Sequence, residues 1–269
     1  MNPMLNIAIR AARKAGNIIM KGYEQSTKDT EVAQKGTNDY VTAIDKAAEQ
    51  AIIEVVHQSY PDHAIIGEES GLIAGKESNV QWVIDPLDGT TNFVHRFPHF
   101  AVSIAIRENG ITTVGVVYDP IRNELFTGVR GEGAKLNEFR LRVDNKRDLA
   151  GTVLATGFPF KTPRHCPAHL NMIEALMEKG VADFRRTGSA ALDLCYVAAS
   201  RVDGYFEIGL KPWDCAAGDL IAREAGALVT NFVGGTDYLT SGNIIAGNAR
   251  IVKETLNSIK PILTDDLKK

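Results

Sequence analysis

The sequence predicts an α/β protein made of two closely packed halves. Three textures carry that expectation: two amphipathic helical stripes before residue 60, a run of short β-rich segments between residues 80 and 129, and strand–helix alternation after residue 150. At 269 residues and 44% hydrophobic side chains, the chain is long enough to bury a substantial core.

Taking the elements in order, Leu5, Ala8, Ile9, Ala12 and Ile19 recur every three to four residues and predict a helix that ends at Gly22. Ile44, Ala48, Ala51, Ile52 and Val55 predict a second helix, from near Thr42 to a stop before Pro61. The polar segment between the two, Gln25 to Asp39, has no period. Strands follow at Val80–Ile84, Ala101–Ile106, Thr113–Tyr118 and Glu124–Val129, divided by Gly, Pro and Asn/Asp turns. Connections this short leave no room for crossover helices, so neighbouring strands here should run antiparallel.

The second half alternates. It reads as strand Val153–Thr156, helices His169–Lys179 and Ser189–Ala199, strand Gly204–Ile208, helix Asp214–Glu224, strands Ala227–Thr230 and Asn243–Ala246, and helix Arg250–Ile259. The change of texture near residues 145–151 divides the chain into an N-terminal α+β half, 1–147, and a C-terminal α/β half, 148–269. There is no internal repeat and no low-complexity tract.

Composition excludes several classes. With 33 acidic against 30 basic residues the formal charge is −3, so no global cationic surface holds nucleic acid or anionic lipid. Cys166, Cys195 and Cys215 form no C-x-x-C pair and leave an odd thiol, which points to a reducing compartment and a cytoplasmic protein. Arg10, Arg13 and Lys14 interrupt the apolar N-terminus, which therefore reads neither as a signal peptide nor as a membrane span.

The chemistry concentrates in Trp82-Val83-Ile84-Asp85-Pro86-Leu87-Asp88-Gly89-Thr90-Thr91-Asn92-Phe93. A strand ending at Asp85 delivers a carboxylate from a rigid element, and Pro86 fixes the backbone so that Asp88 and the Leu87 carbonyl turn towards the same point. Hard cations such as Mg²⁺ take oxygen ligands of this kind. Gly89 lets backbone approach a ligand, and the Gly89 and Thr90 amides, if they open a helix, make an anion site. Taken singly, Asp-Pro and Asp-Gly only punctuate turns; a hydrophobic strand leading into the whole run favours the chemical reading.

Upstream, Ile65-Ile66-Gly67-Glu68-Glu69-Ser70 places Glu68 where a strand would end, as Asp85 is placed, which makes Glu68 a candidate ligand and Glu69 a supporting residue. Downstream, Trp213-Asp214-Cys215-Ala216-Ala217-Gly218 puts Asp214 at the head of a small-residue helix, either as an N-cap or as a ligand. Lys35 is a solvated lysine or a site residue, and Thr42-x-x-Asp45 imitates a capping box. His165-x-x-x-His169 has helical metal spacing, but Pro167 interrupts it and no further ligands follow, so it predicts no zinc site.

Together these segments resemble the inositol monophosphatase family, whose members share a D-P-[hydrophobic]-D-G-[ST] loop, an upstream G-E-E-S and a downstream W-D-x-A-[AG]-G. All three occur here in order. The wording of Ala155 to Phe160, of Phe184 to Asp193 and of the opening Met1 to Asn6 is most similar to the bacterial SuhB-type subfamily.

The resemblance implies a layered α-β-α-β-α sandwich of the sugar-phosphatase type, two or three Mg²⁺ per site, inhibition by Li⁺, and a homodimer. It implies hydrolysis of myo-inositol phosphate to myo-inositol and phosphate by metal-activated water. Carried over by position, Glu68, Asp85 and the Leu87 carbonyl hold one metal, and Asp85, Asp88 and Asp214 a second. Asp45 pairs with Thr90 to orient water, and the Gly89 and Thr90 amides take phosphate. Arg185, Gly188, Ser189, Ala190 and Glu207 line the polyol pocket. Read from the residues, the basic pair Arg185-Arg186 before Gly188 is a solvated edge or meets substrate, a partner subunit or RNA polymerase, and Arg186 is assigned to an interface. Where animal members carry a His before the Trp-Asp, this chain has Lys211-Pro212, so contacts to the ring differ.

The subfamily resemblance also implies a second, noncatalytic role with RNA polymerase and the Nus antitermination complex in ribosomal RNA synthesis, including RNA binding. Other expected substrates of the same fold are fructose bisphosphate and nucleotide bisphosphates. An aspartyl-phosphate mechanism of the haloacid dehalogenase kind would need D-x-D-G-T, one residue shorter between the acids than Asp85 to Asp88.

Overall fold

The structure, a computed structural model, describes residues 2–24, 32–36 and 39–268, with side chains at 2–24 and at 43–268 save 77 and 78. The Lys35 and Thr42 side chains lie outside these.

Helix α1 (Pro3–Glu24) buries Ala8, Ala11, Ala12, Ala15 and Ile19 along one stripe, and it packs on α2 (Ala43–Ser59). Gly22 does not end α1. It is buried inside the helix, because the missing side chain admits Ile44 of α2: a Cβ there would lie 2.7 Å from Ile44 Cδ1. Strands β1 (Val32–Gly36) and β2 (Asp39–Thr42) form an antiparallel ribbon.

The larger sheet comprises β3 (His63–Gly67), β4 (Gly71–Ile73), β5 (Glu77–Asp88), β6 (Ala101–Glu108), β7 (Ile111–Asp119), β8 (Glu124–Val129), β9 (Gly133–Leu136) and β10 (Phe139–Arg140), in the order β10-β9-β8-β7-β6-β5-β3-β4. As expected of short connections, β5 to β8 are antiparallel neighbours. β3, read from sequence only as an apolar stub, pairs parallel to β5 because the β4 return lies outside it.

Alternation feeds both faces of this sheet. Trp82 and Ile84 of β5 enter the core under α1 and α2, whereas Val83 enters the core on the opposite face. That opposite face is covered by α5 (Ala190–Ala198) and α6 (Pro212–Glu224). Gly115 lets α6 come close, since a Cβ there would meet the Ala217 carbonyl oxygen at 2.7 Å.

The other side of α5 and α6 packs on the second sheet, ordered β12-β11-β13-β15-β14, built from β11 (Val153–Thr156), β12 (Asp183–Arg185), β13 (Gly204–Glu207), β14 (Leu228–Thr230) and β15 (Ile244–Gly247). Helices α4 (Cys166–Glu178) and α8 (Ala249–Ile259) close its far side, with the short α7 (Tyr238–Ser241) beside α6. The result is the layered α-β-α-β-α sandwich. Pro167 opens α4 instead of breaking it, because a first-turn proline has no intrahelical N–H to lose. No described helix is long and apolar enough to cross a membrane.

Candidate active site

The larger sheet delivers two acidic stations side by side. Glu68 follows the end of β3 and donates its N–H to the Ile84 carbonyl at 3.1 Å, which holds it beside the end of β5. β5 continues through Asp85 to Asp88, and its pairing with β6 is irregular between them, where Pro86 and Leu87 sit. The Asp85 carboxylate is buried and accepts the Leu87 N–H at 3.0 Å.

Gly89 then caps the short helix α3 (Thr90–Val94) at φ 98°, a left-handed conformation that glycine alone adopts freely. The Thr90 hydroxyl lies 3.1 Å from Asp45 Oδ1 and 3.1 Å from the Leu87 carbonyl. Asp45 sits in the first turn of α2, almost fully buried, behind Thr90 and not in the cavity wall.

The second half supplies the facing wall. Asp88 Oδ2 accepts from the Ser189 hydroxyl at 2.6 Å and from the Ala191 N–H at 2.8 Å, so the loop after β5 is fastened to the start of α5. Asp214 occupies the third position of α6. Its Oδ2 accepts the Lys211 N–H at 2.7 Å, so it serves the helix start while still lining the cavity. Glu207, at the end of β13, accepts the Tyr205 hydroxyl at 2.6 Å.

Glu68, Asp85, Leu87, Asp88, Gly89, Thr90, Gly188, Ser189, Ala190, Glu207 and Asp214 thus line one cavity of about 490 Å³. Its size is within the range of small-molecule sites.

Arg185 does not join them. It is exposed and paired with Asp183, two residues back on the same face of β12. Arg186, one residue on, lines the cavity and stacks over the Phe160 ring at 5.2 Å, so Arg186 takes the place in the cavity wall that was expected of Arg185. The cavity wall also takes Lys211, which the sequence placed near the ring, and His95, Phe158, Phe160 and Lys161, which sequence reasoning did not assign. One signal was legible: Gly157 precedes this segment, and a Cβ there would stand 2.1 Å from Glu207 Oε1.

The electrostatics call for positive charge. Burial, then the Glu68, Asp88 and Asp214 charges, push the Asp85 carboxyl well above its ordinary range, and Asp85 shares a hydrogen bond with Glu68. Burial raises Asp88 to about 7 against the pull of Ser189 and Ala191. Burial and the Asp88 charge raise Asp214 to about 7, and burial raises Glu207 to about 7. Among the described residues no three His, Cys, Asp or Glu side chains are gathered tightly enough to hold an ion by themselves.

Scaffold and acidic cavity define a sandwich of the sugar-phosphatase type. The chain belongs to the inositol monophosphatase family, whose model matches residues 1–262. It is 70% identical over 269 residues to Nus factor SuhB of Pasteurella multocida, covering 100% of both chains. The extragenic suppressor protein SuhB from Bartonella henselae matches its fold with TM-score 0.93 at 42% identity, over 96% of this chain and 99% of that one. The inositol monophosphatase from Anabaena matches with TM-score 0.84 at 37% identity, over 97% and 96%.

Proposed function

We propose that this protein is a Mg²⁺-dependent phosphatase that hydrolyses inositol monophosphate to inositol and phosphate. The observation that carries this reading is the convergence of Glu68, Asp85, Asp88, Glu207 and Asp214 on one cavity whose wall includes the Gly89–Thr90 turn. All five donors are hard carboxylates, the set Mg²⁺ prefers, and Mg²⁺ completes its shell with water and phosphate oxygens instead of a closed protein cage. Glu68, Asp85 and the Leu87 carbonyl would hold one ion, and Asp85, Asp88 and Asp214 another. Bound there, Mg²⁺ supplies charge stabilisation to the phosphoryl oxygens and acidifies water.

The chain's own groups do the rest. Asp45 takes the Thr90 hydroxyl proton in a hydrogen bond, which leaves lone pairs on that oxygen to orient the attacking water. Glu68 accepts from the same water. As water adds to phosphorus and the ester P–O bond breaks, a water proton passes to Thr90 Oγ1 while the hydroxyl proton moves to Asp45. The departing alkoxide takes its proton from solvent. The Gly89 and Thr90 amides bind the phosphate, and Gly188, Ser189, Ala190 and Glu207 meet the polyol hydroxyls. The same reading carries inhibition by Li⁺ and a homodimeric state.

Steady-state hydrolysis of inositol monophosphate with Mg²⁺, after EDTA and after Mg²⁺ is restored, tests this. Activity indifferent to EDTA, or an unaffected Asp85→Asn variant, would refute it. A second reading rests on the 70% identity to a Nus factor: the protein also acts with RNA polymerase in antitermination of ribosomal RNA transcription. Asp85→Asn separates the two, because a scaffold role survives loss of the metal site. Joint loss of phosphatase and antitermination activity would count against the scaffold.

A further inference from the structure

Asn92, the third residue of α3, spends its side-chain amide on two main-chain carbonyls: His99 at 2.7 Å and Thr187 at 2.8 Å. A carbonyl only accepts, so chemistry fixes the orientation of this amide; reversed, Oδ1 would face two acceptors. One partner lies on the return from α3 to β6. The other lies 95 residues onward, in the loop that precedes the cavity-lining Gly188 and Ser189.

The junction is built for close approach. A Cβ on Gly89 would lie 3.1 Å from the His99 oxygen and 3.2 Å from the Gly188 oxygen. Gly188, at φ 90°, could carry no Cβ without placing it 3.1 Å from Asn92 Nδ2. Thr187 is held from its other side as well, its hydroxyl donating to the buried Asp193 at 2.6 Å. Asp88 ties the same two segments through Ser189, but its carboxylate also belongs to the proposed cation site. Asn92 has no such second duty.

We propose that Asn92 is a positioning residue that sets the spacing between the phosphate turn at Gly89–Thr90 and the polyol wall at Gly188–Ala190, and thereby selects polyol phosphates over esters whose leaving group has no hydroxyls to engage that wall. The inference rests on the substrate reading above. Phosphate and polyol are gripped by separate segments, and the Asn92 amide is the strut between them. Without it each segment still folds, but the ring hydroxyls and the phosphorus are no longer held in register.

The test compares inositol monophosphate with p-nitrophenyl phosphate, which has no ring hydroxyls for the wall. Asn92→Ala is expected to lower kcat/KM for inositol monophosphate by roughly 30- to 100-fold, as misplacement of this order does, and for p-nitrophenyl phosphate by no more than about 3-fold. Asn92→Asp, isosteric but presenting an acceptor to two carbonyls, should match the alanine variant. Thr187→Val keeps the carbonyl while cutting the Asp193 bond, and its effect should be less than additive with Asn92→Ala. It also serves as the probe if the alanine variant fails to fold.

Amide hydrogen exchange of residues 187–191 reads the same strut without activity and should quicken in Asn92→Ala. Equal losses on both substrates, a wild-type ratio in Asn92→Asp, or unchanged exchange would overturn the inference. A wild-type protein with no preference for inositol monophosphate would instead overturn the substrate reading, and the exchange result would still decide the role of Asn92.

Discussion

The Ser189 hydroxyl donates to Asp88 Oδ2 at 2.6 Å while its oxygen accepts the Leu192 N–H at 3.3 Å. One side chain therefore caps α5 and holds a carboxylate that the proposed chemistry needs ionised. Ser189→Ala removes both bonds and leaves Asp88 with the Ala191 amide. The expected cost is about 1–3 kcal/mol, the cap and the charged hydrogen bond together, read as a lower urea midpoint with an unchanged slope. Apparent Mg²⁺ affinity should fall with it. A stability loss with Mg²⁺ affinity intact would mean that Ser189 serves α5 alone.

In the proposed mechanism the Thr90 hydroxyl handles a proton while its main-chain amide takes the phosphate. That hydroxyl stands 3.1 Å from Asp45 Oδ1, and Asp45 is almost fully buried behind it, outside the cavity wall. Thr90→Val and Asp45→Asn should each lower kcat by about 10²–10³-fold, the usual worth of general-base assistance, with KM changing less than about 3-fold. Residues that act in series lose the same function once, so the double variant should resemble either single one. Additive losses in the double variant would show that the two act separately.

How much of this was readable in advance depended on whether the cause was local. The strand running into Asp85, the Gly89 turn and the alternation of β5 to β8 are local patterns, and they appear where the residues put them. Gly22 was read as a stop because glycine usually is one; it continues α1 because Ile44, distant in sequence, fills its space. Arg185 ends the three-residue strand β12 and Arg186 follows it, and nothing in the sequence marks where so short a strand stops. Asp214 left two readings open, and the structure joins them: one oxygen serves the helix start while the residue still lines the cavity.

The two glycines of α1 make a contrast that can be measured. A Cβ on Gly22 would meet the far end of Ile44 at 2.7 Å, a side chain able to change rotamer. One on Gly16 would meet Cε1 of the Tyr118 ring at 2.6 Å, and that ring is anchored by its hydroxyl on Asn123 at 3.0 Å. Alanine adds about 1 kcal/mol of helix propensity at either site, against an overpacking cost of about 1–3 kcal/mol where the neighbour cannot yield. Gly22→Ala should therefore be near neutral and Gly16→Ala clearly destabilising by chemical denaturation. The reverse order would place the rigid contact at Ile44.

His169 gives a pH dependence whose sign follows from burial alone. It is 0% exposed, packed against Phe158 at 5.1 Å and Phe206 at 5.4 Å, and neither ring nitrogen has a hydrogen-bond partner among the described residues. Burial lowers its pKa from 6.5 to about 4. Between those values the unfolded chain binds the proton and the folded one does not, so this contribution is complete above pH 6.5 and drains away as pH falls towards 4. At pH 5 the loss is about 2 kcal/mol. His99, also lowered to about 4 by burial, acts in the same direction, while the raised carboxyls of Asp88, Glu207 and Asp214 oppose it. Those groups are present in both proteins when wild type is compared with His169→Leu, so they cancel in the difference. Urea denaturation at pH 7.5 and pH 5 should show wild type losing about 2 kcal/mol more than the variant on acidification. Equal losses would mean that the His169 imidazole keeps a proton-accepting route to water in the folded state.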